Sequence, residues 1–397
     1  VWLPGAEEPV PAGIARQRGS MLRFRYGRRY LARPDAIALY APELPLEDRW
    51  IDPPNGLEAA GCLTDAAPDS WGRGILERRL GGDELSLLTY LTHAGSDRIG
   101  ALDLQPSPAE YVPRSAPSAT LEDLAQAAQR LLTGEPIPEE LDAALTAGSS
   151  VGGARPKALL HDAGRPLIAK FSAPRDTLPM VRGEMLAMRM AARCGLDVAA
   201  VELTQAHGRD VLLVERFDRT AGTAQRRMMV SALTMLGLPD YAPRDASYAR
   251  LAELMLLKFA DPVADRRELF RRIVFNVLCG NTDDHARNHA AFWDGSSLSL
   301  TPAYDICPYP RGGHEATQAM IIGGRDDRFR FSQVQGCIER ASLYGLSSEA
   351  AQEIVHRQLD TIRTSWDDVC DEAHLTSDDR RTYRRVFPHE YALIGLD

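Results

Sequence analysis

The chain lacks a CxxC pair, an apolar run of membrane-spanning length, an excess of positive charge and any internal repeat. Each shortage removes a class of protein. Six cysteines are scattered at positions 62, 194, 279, 307, 337 and 370. Without CxxC spacing, neither a zinc ribbon nor a dithiol redox centre is indicated, and dispersed thiols fit a reducing compartment. A bilayer span needs roughly 18–20 consecutive apolar residues. The apolar stretch 251–260 is too short and carries Lys258. No secretory core opens the sequence, because Arg16, Arg18, Arg23 and Arg25 arrive too early. The expectation is a cytoplasmic protein. Forty-six Lys and Arg against 55 Asp and Glu leave a net charge of −9, which excludes a whole-surface nucleic-acid coat. Two arginine clusters, at 266, 267, 271 and 272 and at 380, 381, 384 and 385, read as solvated helix faces.

What is present is ordinary globular material. Apolar residues make up 44% and charged residues 25% of 397 residues, enough to bury a core without disulfides or metals. At roughly 100–200 residues per domain, the length predicts two or three domains. "MLRFRYGRRYL" alternates as a strand does around Phe24 and Tyr26, and "AIALYAPELPL" reads as a second strand closed by prolines. "PDSWGRGILERRL" starts a helix capped by Asp69 or Ser70, with Ile75, Leu76 and Leu80 as its apolar stripe. A proline- and serine-rich linker over 106–118 leads into two amphipathic helices, the first ending at Gly134. Residues 149–220 read strand, strand, helix, strand, strand; the remainder is mainly helical. One polar, charged segment, "NTDDHARNHAAFWDGSSLSLTPAYDICP", interrupts these helices. A charged loop between buried elements is where function usually sits.

Four features stand in the order that phosphoryl transfer requires. Gly152 and Gly153 follow Ser149 and Ser150, and a glycine turn lets backbone N–H groups approach phosphate oxygens. Lys170 sits in the apolar strand "LIAKFS", where an ammonium needs a partner; Glu184 on the next helix is a candidate. Asp283 and Asn288 have the Asp-x₄-Asn spacing of a kinase catalytic loop, Asp as base and Asn on Mg²⁺. Asp284 is one residue out of register, either a supporting group or merely solvated. Asp305 in "LTPAYDICP" follows at the place of a metal-binding Asp. His285 and His289 stand four apart, as zinc ligands on a helix can, but no HExxH and no obvious third ligand accompany them.

These motifs together resemble the HipA-like serine/threonine kinases of bacterial toxin–antitoxin systems, over nearly the whole chain. "PDSWGRGILERRL" is similar to that family's Pro-Asp-x-x-Trp-Gly-Arg helix, "SSVGGARPKALL" to its phosphate loop and "VERFDR" to its hinge. "NTDDHARN" resembles its catalytic loop and "LTPAYDI" its metal-binding segment. The implied fold is α+β, two-lobed and protein-kinase-like, of the PI3/4-kinase-like HipA type. An N-terminal α/β subdomain would span 1–112, a kinase N-lobe 113–217 and a mainly helical C-lobe 218–397.

By that resemblance, Val151, Gly152, Gly153, Ala154, Arg155 and Lys157 would line ATP phosphates, with Lys170 touching them. Glu215 and Phe217 would hold the adenine edge, and His285, Asn288, Tyr304 and Asp305 would lie at the nucleotide. Asp283 would be the catalytic base, Asn288 and Asp305 the Mg²⁺ ligands, and Glu184 the ion-pair partner of Lys170. Ser150 matches an autophosphorylation position, with Ser149 as the alternative. The implied partners are a HipB-like antitoxin dimer, operator DNA through that antitoxin, and a protein substrate such as an aminoacyl-tRNA synthetase. "RMMVSALTMLGLPD" departs from the His-Gln-Glu-Asp stretch of many members, which bears on the substrate side. Eukaryotic GxGxxG, DFG and APE signatures are absent, as is an obvious helix-turn-helix. Two other readings stay open: a small-molecule kinase of the aminoglycoside phosphotransferase type, and a non-catalytic corepressor acting with the antitoxin.

Overall fold

The computed structural model describes all residues except 4–7, 83, 116–118, 150–154, 163, 174–175, 177, 221–222, 224, 310–312, 314 and 397. The chain divides into two compact units. The first comprises 1–175, 204–230 and 292–296; the second comprises 176–203, 231–291 and 297–397.

In the first unit, strands Gly13–Arg18 and Met21–Tyr26 form an antiparallel hairpin. The alternation read from the sequence buries Leu22, Phe24 and Tyr26 on one face. The second strand expected over 36–46 is not one. Pro42 and Pro45 remove two ladder donors, and the segment turns through an isolated bridge between Tyr40 and Leu44. Tyr26 fastens the turn, donating to the Leu44 carbonyl at 2.7 Å and accepting from the Leu39 N–H at 2.9 Å. Inside it Glu43 is buried, accepting from the Gly61 and Cys62 N–H groups, each at 2.9 Å.

Helix Ser70–Leu80 is capped by Asp69, which accepts from the Gly72 N–H at 2.9 Å, and it stops at Gly81 with φ +72°. Ile75 and Leu76 are buried as expected, but Leu80, in the last turn, is exposed. Helices Leu121–Thr133 and Glu139–Ala147 follow the linker, the first opened by a Thr120–Asp123 capping box and ended at Gly134. They pack on a four-stranded sheet ordered Lys157–Asp162, Arg165–Phe171, Arg209–Glu215, Val201–Ala206. Leu124, Ala127, Leu145, Leu167, Ala169, Phe171, Val211 and Leu213 form this core.

The second unit is mainly helical. Its helices include Met180–Arg193, Tyr248–Lys258, Pro262–Cys279, Ser348–Glu372 and Ser377–Arg384. Pro262 occupies the first turn of its helix, where its missing N–H costs nothing, and Asp261 caps it by accepting from the Ala264 N–H at 3.0 Å. Gly280, at φ +73°, ends that helix and releases the chain into the Asp-x₄-Asn loop. All six cysteines are free and buried. No helix among the described residues is long and apolar enough to cross a membrane.

Candidate active site

The Asp-x₄-Asn loop of the second unit is built on Asp284, not on Asp283. Asp284 is buried, and its Oδ2 accepts from Asn276 Nδ2 at 2.7 Å, from the Tyr248 hydroxyl at 2.5 Å and from His289 Nε2 at 2.8 Å. The contact to Asp284 assigns the proton of His289 to Nε2. Burial first, then the adjacent Asp284 charge, pushes the Tyr248 hydroxyl far above the usual phenol range, so it stays a donor. Asn281 extends the network, donating to Asn276 Oδ1 at 2.9 Å and accepting the Asp283 N–H at 3.3 Å. Asp284 is thus the anchor of the loop. His289 is committed to that carboxylate, and neither it nor His285 lies on a helix: the turn between them, Ala286–Asn288, is a single 3₁₀ turn.

Asp283 faces the other way. Its side chain is 37% exposed, and its Oδ1 is ion-paired with the Arg244 guanidinium. Asn288 is buried, and its Nδ2 points at the Asp283 carbonyl, at 3.4 Å. That leaves the amide oxygen of Asn288 as its free donor atom for a cation. Tyr304 donates to the Arg287 carbonyl at 2.7 Å, which ties the residue before Asp305 to the residue before Asn288. The same segment is held at Ala303, whose N–H donates to the Asp197 carbonyl and whose carbonyl accepts from Ala199. Asp305 itself has φ +60°, a conformation rarely adopted by residues with a Cβ. Such a strained backbone persists where its surroundings over-determine it, a common property of functional positions. An amide oxygen and a carboxylate are hard oxygen donors of the kind Mg²⁺ takes.

In the first unit, Lys170 alternates with the core residues Ala169 and Phe171, so it lies on the sheet face away from the helices. Lys157, its neighbour across the ladder, is buried, with its ammonium 2.9 Å from Asp69 Oδ2. Trp71 Nε1 donates to the Lys157 carbonyl at 3.1 Å. The helix that carries Pro68-Asp69-Ser70-Trp71-Gly72-Arg73 therefore seats the start of this strand. Gly72 is required there: a Cβ at that position would lie 1.8 Å from the Ser149 carbonyl oxygen. Ser149 is buried, and its hydroxyl has no hydrogen-bond partner among the described residues; Ser150, Val151, Gly152, Gly153 and Ala154 lie outside them. Glu184 is buried in helix Met180–Arg193 of the second unit.

Sequence reasoning missed a clasp around Phe217. Phe217 meets Phe292 edge-on, at 6.0 Å between ring centres. On either side of it, Arg216 and Asp218 are buried and paired bidentately, Arg216 Nε donating to Oδ1 at 3.0 Å and Nη2 to Oδ2 at 2.8 Å. Asp97 from the N-terminal region contacts Arg216 at 3.0 Å and Arg219 at 2.5 Å, and the Gly100 N–H donates to Asp218 at 2.7 Å. Burial alone would raise the Asp97 carboxyl, but Arg216 and Arg219 outweigh it and hold it at about 2. Arg98, fully buried, pairs with Asp103 at 2.8 Å and donates to the Ala66 carbonyl. The available signal was "GSDRIG", an Asp-Arg pair between glycines in an otherwise apolar stretch.

The architecture is shared with a solved structure. Over 95% of this chain and 92% of the other, it superposes with a TM-score of 0.73 and 21% identity on the Shewanella oneidensis HipA structure, solved with HipB and operator DNA. The fold is therefore α+β of the HipA type. Residues 149–366 match the HipA-like C-terminal domain and residues 6–105 the HipA N-terminal domain; the chain belongs to the HipA family. Among curated relatives, Y4mE of Sinorhizobium fredii, whose name gives kinase as its proposed activity, is 28% identical over 77% of this chain and 76% of its own length. The serine/threonine-protein kinase toxin HipA of Shewanella oneidensis is 28% identical over 45% of this chain and 47% of its own.

Proposed function

We propose that this chain is an ATP- and Mg²⁺-dependent serine/threonine protein kinase that arrests growth as the toxin of a toxin–antitoxin pair. The observation that carries the reading is the division of labour in the Asp-x₄-Asn loop. Asp284 is spent on holding the loop, so Asp283 is the carboxylate left for a substrate hydroxyl. Asn288 and Asp305 would hold Mg²⁺, which would supply charge compensation for the triphosphate. Lys170 would face the phosphates, with Arg155 and residues 151–154 as the phosphate loop, and Glu215 and Phe217 would present backbone groups to adenine. Asp283 would orient the attacking hydroxyl and take its proton.

The partner in this reading is a HipB-like antitoxin, which would bring operator DNA, and the protein substrate is an aminoacyl-tRNA synthetase. Autophosphorylation at Ser150 would place about −2 of charge beside a loop built for phosphate and switch the enzyme off. Ser149 is the weaker site, because its backbone is packed against Gly72. The test is incubation of the chain with ATP and Mg²⁺, followed by intact mass and phosphosite mapping. A gain of one phosphate on Ser150, absent in Asp283→Asn, is the expected result. Neither phosphate nor ATP binding by calorimetry would replace the kinase with the corepressor.

A further inference from the structure

We propose that Arg244 is the positioning residue of Asp283, and that the anchoring of residues 240–248 serves to deliver that guanidinium. The inference rests on the kinase reading above. Arg244 is the one side chain that donates to the Asp283 carboxylate among the described residues. It engages Oδ1 and leaves Oδ2 without a donor. A carboxylate fixed by one oxygen offers the other in a constant direction, which is what in-line attack by a hydroxyl on the γ-phosphorus needs. In that step the hydroxyl oxygen bonds to the γ-phosphorus as the bond to the β–γ bridging oxygen breaks. The bond's electron pair leaves with ADP and the hydroxyl proton passes to Asp283 Oδ2.

The guanidinium projects from an anchored backbone. Arg330 donates to the Arg244 carbonyl at 3.1 Å and the Ala286 N–H donates to the Pro243 carbonyl at 3.1 Å. Arg287 donates to the Asp240 carbonyl at 2.8 Å and pairs with its carboxylate. Tyr248, which follows, binds Asp284. Residues 240–248 are therefore stitched to the catalytic loop at 283, 284, 286 and 287. The Arg244 side chain is 61% exposed, and an exposed ion pair contributes little to stability. A structural role predicts that its removal is silent; a positioning role predicts that it is not.

The experiment measures ADP formation from ATP and Mg²⁺ by the full chain, which counts transfer to protein and to water alike. It compares the parent with R244A, R244K, D283N and the control R325A, which removes an exposed pair to Glu253. Expected are a fall in kcat of about tenfold or more for R244A with KM for ATP within about twofold, partial recovery in R244K, and no change in R325A. Unchanged kcat in R244A overturns the proposal and leaves the kinase reading standing. Faster turnover in R244A overturns it too, making the pair a lock, and a rise confined to KM makes Arg244 a nucleotide contact instead. Parent turnover no greater than that of D283N removes the kinase reading and this proposal with it.

Discussion

Asp283 and Asp284 carry the same carboxylate at adjacent positions, and their surroundings give them opposite tasks. The spacing to Asn288 selects Asp283 from sequence alone, because a kinase loop requires four residues between base and metal-binding amide. For Asp284 the sequence left a supporting group and a solvated one open, and the choice between them was not legible. Its donors Asn276 and Tyr248 come from two different helices, and no local pattern brings them together. Lys157 is similar: it reads as part of a phosphate loop, yet its ammonium lies on Asp69, far away in sequence. We expect Asp284→Asn to cost about 2–4 kcal/mol in urea unfolding, since an amide nitrogen would face donors and a buried acceptor would be lost. Asp283→Asn should stay within about 1 kcal/mol of the parent while abolishing transfer, because only a surface pair is lost from the fold.

Elements with a strong period were readable: the Phe24–Tyr26 strand, helices Tyr248–Lys258, Pro262–Cys279 and Ser348–Glu372 and the strand–strand–helix–strand–strand run all have it. Residues 36–46 were not, because an apolar run bounded by prolines looks the same whether it pairs or turns. The turn holds a titrating group that a strand would not. Burial, opposed by hydrogen bonds from Cys62 and Gly61, pushes the Glu43 carboxyl up to about 7, above its usual 4.5. A raised native pKa favours the protonated fold, so the contribution is complete below about pH 4.5 and is lost as pH rises through about 7. Urea midpoints measured from pH 5 to pH 8 should fall for the parent and fall less for Glu43→Gln.

Across the whole molecule, the N-terminal region is joined to the four-stranded sheet by buried charge as well as by Ile75 and Trp71, which pack on the sheet's apolar core. Asp97 has the opposite titration to Glu43. Its depressed native value means stability that is present above about pH 3.8 and lost as pH falls towards about 2. Asp97→Asn should therefore cost about 3 kcal/mol at pH 7 and flatten the acid limb of the stability curve. Removal of residues 1–105 should yield an aggregating product by size-exclusion chromatography, because Arg216 and Asp218 would lose Asp97, Arg98 and Gly100. The distribution of thiols follows a different logic. Cys62 lies in the first unit and Cys194, Cys279, Cys307, Cys337 and Cys370 in the second, all buried. Burial pushes the thiol of Cys194 and of Cys337 up to about 12, so a folded unit presents almost no thiolate. The protein thereby carries its own pair of clocks: alkylation of Cys62 times the opening of one unit, alkylation of the other five times the other, and equal rates would mean that both open as one.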